Sequence, residues 1–228
     1  MDGGQGFTYS VDLALVIDAT GSMSPIIDRV KSHATSFHND LERRMVELGK
    51  HIDKLRVRAI AFRDFYADSA ADSLVVSGFF ALPDEEGAFS SFVNGIRATG
   101  GGDEPETGME AIAEAIRSPW ATEGAKQRHV IVVWTDASAH PLEKQAGKKP
   151  GGYPADMPAN FDDLTDMWEG QTYMNRASKR LLMYTPDAYP WTDMANSWEN
   201  CLHFTSKAGA GLADADYNEI LDQIARSV

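Results

Sequence analysis

Apolar residues recur along the chain in two alternating rhythms. Short runs dense in Val, Ile, Leu and aromatic residues fall at 11–17, 55–65, 74–82, 129–135, 180–184 and 201–205, with the length and β-branched content of strands. Between them the apolar positions are spaced for helices. Ile26, Ile27, Val30, Ala34, Phe37, Leu41, Met45 and Leu48 predict one long amphipathic helix, entered through Ser24 and Pro25 and closed by Gly49. Phe89, Phe92, Val93 and Ile96 predict a second, begun at Pro83-Asp84, and Met109, Ile112, Ala113 and Ile116 a third. Further helices are expected over 164–178, near 191–198 and over 213–226, with Trp168, Trp191 and Trp198 as packing residues.

Strands separated by helices imply a mostly parallel sheet covered on both faces. The link between 55–65 and 74–82 is too short for a crossover, which makes 74–82 an antiparallel edge strand. The expected fold is α/β: a doubly wound, mostly parallel six-stranded sheet with one antiparallel edge strand and helices on both faces. No boundary, internal repeat or low-complexity stretch divides it, so 1–228 reads as a single domain. Residues 1–8 read as a flexible N-terminal segment. Residues 141–160, rich in Gly, Pro and Lys and without periodicity, form a loop longer than structural connections usually are.

The two fully apolar runs end alike. Val11-Asp12-Leu13-Ala14-Leu15-Val16-Ile17 gives way to Asp18-Ala19-Thr20-Gly21-Ser22-Met23, and His129-Val-Ile-Val-Val-Trp-Thr135 to Asp136-Ala-Ser-Ala-His140. In a parallel sheet such polar side chains emerge at the C-terminal ends of strands, where ligands bind. Asp18, Thr20 and Ser22 alternate along a turn, so a carboxylate and two hydroxyls face a common point. Hard oxygens without His or Cys suit Mg²⁺, Mn²⁺ or Ca²⁺. The plainer alternative is that Asp18 and Thr20 only cap the next helix. Asp64 ends the strand over 55–65 and is open to two readings, an ion pair with Arg63 or support of the Asp18 site. His140, four residues past Asp136, is expected to bond to it or to steady the loop, with direct ligation as the alternative.

Asp18-Ala-Thr20-Gly-Ser22-Met23 resembles the first element of the metal-ion-dependent adhesion site of von Willebrand factor type A domains, Asp-x-Ser-x-Ser, with Thr20 in place of the first Ser. Gly100-Gly101-Gly102-Asp103-Glu104-Pro105-Glu106 resembles the second, usually Gly-Gly-x-Thr, with Asp103 where the threonine stands. Asp136 matches the third, an Asp at the end of a buried strand. The three follow in the family's order, and the resemblance spans nearly the whole chain. It implies a Rossmann-like fold and a cation held by Asp18, Thr20, Ser22, Asp103 and Asp136, with Asp64, Glu104 and His140 supporting the site or touching a partner. Whether Asp103 would ligate directly or through water stays open, and its carboxylate also suits a helix cap at Pro105. Mg²⁺ is the expected ion, Mn²⁺ or Ca²⁺ the alternatives. The family implies binding, with one coordination position left for a partner protein's carboxylate, in the manner of stand-alone intracellular members of bacterial type.

Composition narrows the partners. The 228 residues carry a formal net charge of −13, which disfavours nucleic acid and anionic membranes. A lone cysteine, Cys201, allows no internal disulfide and suits a reducing compartment. The polar N-terminus has no signal-peptide character and no run approaches membrane-spanning length, so a cytoplasmic location is expected. The loop over 141–160 starts beside Asp136 and is expected to meet the partner, through Lys144, Lys148 and Lys149, without building core. An enzymatic alternative is a Mg²⁺-dependent phosphotransferase of haloacid dehalogenase type, but it needs a second acid where Thr20 stands. A third is a von Willebrand type A domain with an empty metal site. Serine-hydrolase, zinc and Walker patterns do not occur.

Overall fold

Val11 to Ile17 are buried on both sides, and that places them in the middle of the sheet. Val11, Leu13, Leu15 and Ile17 enter one core while Ala14 and Val16 enter the other. In the computed structural model, which describes residues 7–102, 104–123, 126–144 and 149–228, they form the interior of β1 (Phe7–Asp18). The remaining strands are β2 (Lys50–Phe62), β3 (Leu74–Val76), β4 (Phe80–Leu82), β5 (Gln127–Trp134), β6 (Lys179–Pro186) and β7 (Cys201–Ser206). The order is β3-β2-β1-β5-β6-β7, with β4 also on β2. β1 pairs in parallel with β2 and β5, and β5-β6-β7 continue in parallel.

The helices divide between the two faces. α1 (Ser24–His33), α2 (Phe37–Glu47), α4 (Glu86–Gly95) and α8 (Tyr217–Ser227) cover one, contributing Ile26, Leu41, Phe89 and Ile220 to its core. α5 (Gly108–Ile116), α6 (Phe161–Glu169) and α7 (Trp191–Ser197) cover the other, where Ile112, Leu164, Trp168 and Trp191 are buried. The four-residue α3 (Ala70–Ser73) precedes β3. The fold class is thus the expected α/β one, with local differences; the helix expected over 164–178, for one, ends at Glu169.

The helix expected over 24–48 is broken at 34–36. The Ser36 hydroxyl turns to the carbonyl of His33 and, at 2.7 Å, to Asp40, an alternative to helical bonding that Ser offers readily. The edge strand over 74–82 is split into β3 and β4. Ser77 inserts its own hydroxyl as acceptor for the Ala59 N–H at 2.9 Å, substituting a side chain for a strand partner. The N-terminal segment is shorter than expected, since Phe7 and Thr8 already pair with Lys50 and His51; residues 1–6 lie outside the described residues.

The last difference concerns the loop over 141–160, which does build core. Leu142 is 2% exposed in the second core, with Met157 packed against it. Lys144 Nζ lies 3.3 Å from Glu110 in α5, both side chains almost fully buried, and the Tyr153 hydroxyl donates to the same Glu110 oxygen at 2.7 Å. Tyr153 also sets its ring edge-on to Phe65, with centroids 5.3 Å apart. Lys148 lies outside the described residues. Removing one member of a buried ion pair strands the other without solvation. Lys144→Met is therefore expected to lower unfolding free energy by about 3 kcal/mol, measured by denaturant titration; a change below about 0.5 kcal/mol, typical of surface positions, would show that the loop is not held this way.

Candidate metal centre

The C-terminal ends of β1 and β5 bring the first and third sequence elements together. Asp18 has no exposed surface. Its Oδ1 accepts from the Thr20 N–H at 2.9 Å and the Thr20 hydroxyl at 2.6 Å, while its Oδ2 accepts from the Thr135 hydroxyl at 2.6 Å. Asp136, also buried, accepts from the Ser22 hydroxyl at 2.9 Å through Oδ1 and from the Gly211 N–H at 2.7 Å through Oδ2. Ser22 itself is exposed, so the pair opens at the rim of the sheet. Gly211, at φ +59°, lies so close to the Ser22 carbonyl that any Cβ would collide with it, which is why this contact uses glycine.

The glycine-rich loop closes on the same point. Gly21 N–H reaches the Gly100 carbonyl at 3.3 Å, and Gly101 N–H reaches Asp68 Oδ2 at 2.9 Å. A Cβ on Gly101, whose φ is +73°, would lie 2.7 Å from Thr20 Cγ2 and 2.8 Å from Glu106 Oε1. Glu106 and Thr20 thus both border Gly101, and the Glu106 backbone bridges to Ala139, with Glu106 N–H on the Ser138 carbonyl at 2.9 Å. Asp103 lies outside the described residues. Glu104 is exposed, and the acid that turns inward is Glu106, 4% exposed, whose Oε2 is buried without a partner.

Asp64 and His140 form a second layer. The Tyr66 N–H donates to Asp64 Oδ1 at 2.9 Å, and His140 Nε2 lies 3.2 Å from the same oxygen. Burial alone would raise the Asp64 carboxyl, but His140, Tyr66 and Thr107 together hold it below its ordinary range. The Arg63–Asp64 ion pair does not form. The Arg63 guanidinium instead donates to three backbone carbonyls, of Ala19, Asp72 and Arg97, at 3.1, 2.6 and 2.8 Å, and so ties the β1 end to two neighbouring segments. His140 therefore approaches Asp64 and not Asp136, and its ring packs at 4.6 Å on exposed Tyr66.

The carboxylates gathered here repel one another. Desolvation, with a contribution from Asp136, pushes the Asp18 carboxyl up to about 6. Desolvation together with Asp18, Asp64, Asp68 and Asp136 pushes Glu106 up to about 8. No Lys or Arg pairs with Asp18, Asp136 or Glu106 among the described residues. Nor do any three Asp, Glu, His or Cys side chains among them form a metal-holding cluster by themselves. A cation here would depend on hydroxyls as well as carboxylates, and hydroxyls of Thr20 and Ser22 are at hand. Thr135, Asp68 and Glu106 were not singled out from sequence. Thr135 was legible in principle, as a hydroxyl at the end of an apolar run, whereas Asp68 and Glu106 are set by loop closure.

A family model described as the integrin beta chain VWA domain matches residues 7–147. The chain belongs to the von Willebrand factor type A family. It is 32% identical over 159 residues to the alpha-protein kinase vwkA of Dictyostelium discoideum, covering 68% of this chain and 23% of that protein. It is 30% identical over 132 residues to a putative ariadne-like RING finger protein of Acanthamoeba polyphaga mimivirus, covering 57% and 11%. The chain thus spans a quarter or less of either relative. Similar solved structures are a von Willebrand factor type A protein from Catenulispora acidiphila (TM-score 0.54, 13% identity, covering 94% of this chain and 42% of that one) and the pilus adhesin SpaC from Lactobacillus rhamnosus GG (0.58, 10%, 95% and 30%). Von Willebrand type A domains typically mediate protein interactions. Among the described residues no helix is long and apolar enough to cross a membrane.

The raised carboxyls give the site a pH signature. Asp18 and Glu106 hold protons more tightly in the folded chain than at their ordinary values of 3.8 and 4.5. The unfolded chain thus releases these protons first, and metal-free stability falls as pH climbs from those values through about 6 and 8. The melting temperature of chelator-treated protein is expected to drop from about pH 5 to about pH 9, and millimolar Mg²⁺ to remove most of the drop. A metal-free melting temperature that rises over this range would contradict the burial of these carboxyls.

Proposed function

We propose that the chain is a metal-dependent protein-binding module, holding a divalent cation among Asp18, Thr20, Ser22, Asp136 and Glu106 and engaging a partner protein at this rim. The observation that carries the reading is the charge deficit: Asp18, Asp136 and Glu106 are buried near one another, and among the described residues no basic side chain pairs with them and Glu106 Oε2 has no partner. Burying ionised carboxylates uncompensated is costly, and a divalent cation offsets that cost. All the donors are hard oxygens, which favours Mg²⁺, with Mn²⁺ or Ca²⁺ as alternatives. Bound there, the ion would supply a Lewis-acidic position for a carboxylate of the partner.

The chain's own residues divide the remaining work. Thr135 and Thr20 orient Asp18, Gly211 and Ser22 orient Asp136, and Gly101, lacking a side chain, leaves room for the Glu106 carboxyl beside it. Exposed Ser22 and Tyr66 stand at the rim, where a partner would arrive. With Asp103 nearby in sequence the site is rich in negative charge, so partner recognition leans on the surrounding residues as well as on one acidic side chain. Phosphoryl transfer finds no support, because Thr20 donates its hydroxyl to Asp18 where that chemistry needs a second acid. A reducing, cytoplasmic compartment belongs to the same reading, since the single cysteine forms no internal disulfide.

Asp18→Ala tests the reading. It removes one of the mutually repelling carboxylates but also the acceptor of the Thr20 and Thr135 donors, so in chelator the variant is expected to stay folded with a lower melting temperature than the parent. Its Mg²⁺ affinity by calorimetry should fall at least about a hundredfold, as loss of a charged ligand implies. Partner capture from lysate by the parent should be abolished by chelator. Parent-like Mg²⁺ affinity in Asp18→Ala would sink the assignment.

A further inference from the structure

A cleft of about 950 Å³ lies between α8 and the β7 edge of the sheet, with Tyr184, Phe204, Leu212 and Ile220 among its lining. Trp134, Tyr184 and Phe204 are register partners on β5, β6 and β7. Their rings stack in a row from core to edge, with centroids 6.4 and 4.8 Å apart. The row ends in the cleft. Tyr184 is 8% exposed, and its hydroxyl has no hydrogen-bond partner.

The backbone beside the cleft is unpaired too. β7 is the last strand in the sheet order. Leu181 N–H donates to the Asn200 carbonyl, which with the register Leu181↔Cys201 puts the backbone groups of Leu202, Phe204 and Ser206 toward β6. Those of Cys201, His203 and Thr205 therefore point outward, and among the described residues no segment bonds to them. Leu202, on the same face as Phe204, is 48% exposed. An edge of this kind, apolar and without a charged guard on its strand, is a template for another strand.

Charge selects the occupant. Asp214, Asp216 and Glu219 line the cleft and take part in no ion pair among the described residues. Of its three bases, Arg44 is paired with Glu47 at 2.8 Å and Arg226 with Asp222 at 2.6 Å, which leaves Lys207 against three carboxylates. A second copy of this chain, itself at −13, would bring further negative charge to a negative rim. We propose that the β7 edge and its cleft form a second docking surface, for an extended peptide segment that alternates apolar with Lys or Arg residues. Its backbone adds a strand outside Cys201, His203 and Thr205. Its apolar side chains cover Leu202 and Phe204 on the cleft face. Strand addition takes affinity from main-chain bonds and specificity from alternate side chains.

The probes are two blocked eight-residue peptides, one alternating Val with Lys and one alternating Val with Glu, added to the full chain in chelator. The Val/Lys peptide is expected to bind and to slow hydrogen exchange at the Cys201, His203 and Thr205 amides, with no effect from the Val/Glu peptide. Glu219→Lys should weaken binding about fivefold, the size of an exposed ion pair, and Thr205→Pro, which removes an outward N–H at an edge position where Pro is tolerated, should weaken it further. Because the chelator is present throughout, loss of the metal reading would leave this result intact. Equal binding of both peptides, edge amides already protected in the free chain, or protection that grows with protein concentration as a second copy would produce, each overturns the proposal.

Discussion

Three donors converge on one carboxyl that water does not reach. Thr20 supplies an N–H and a hydroxyl to one oxygen of Asp18, and Thr135 supplies a hydroxyl to the other, from the neighbouring strand. Everything at the rim is built around this arrangement. Asp136 stands beside it because β5 pairs with β1, Gly101 closes over Thr20, and Arg63 holds the Ala19 carbonyl one residue on. The hydroxyls soften the burial of the charge without neutralising it, and the carboxyl stays raised. The geometry is stable while the electrostatics remain incomplete, which is how binding sites are commonly poised.

The parts of this centre carried by strands were legible from sequence. Asp18 and Asp136 follow apolar runs that could only be interior parallel strands, and strand ends leave little freedom in where the next residue goes. The parts carried by loops were not. Glu104 and Glu106 are two residues apart in a loop, and only the bridge to Ala139 decides that the second turns inward. Asp68 gains its place by accepting from Gly101, thirty-three positions away, a contact no local pattern announces. Arg63 next to Asp64 reads as an ion pair in sequence, yet three carbonyls at segment ends compete for the guanidinium and take it.

The loop over 141–160 shows the same limit from the other side. Its Gly, Pro and Lys content reads as solvent-exposed, and composition cannot reveal that one lysine meets a glutamate on the buried side of a helix. Glu110 gave no warning either, since a charged residue within Met109, Ile112 and Ile116 reads as the polar face of the helix. Long-range pairing hid two buried charges from a local reading, and it makes this loop part of the scaffold around the rim.

The central strand is made before either of its partners and is completed only when the second of them emerges. The hydroxyl that secures the second oxygen of Asp18 lies 117 residues further along the chain. A ribosome adding about 5–20 residues per second needs roughly 6 to 25 seconds to cover that distance. During that interval β1 can pair only with β2, and its other edge is open to whatever strand is near. The two halves of the acidic centre do not coexist until β5 emerges, so no nascent fragment shorter than that can present it. On the proposed function, occupancy of the rim would report a chain in which β5 has already paired with β1, and not one still waiting for it.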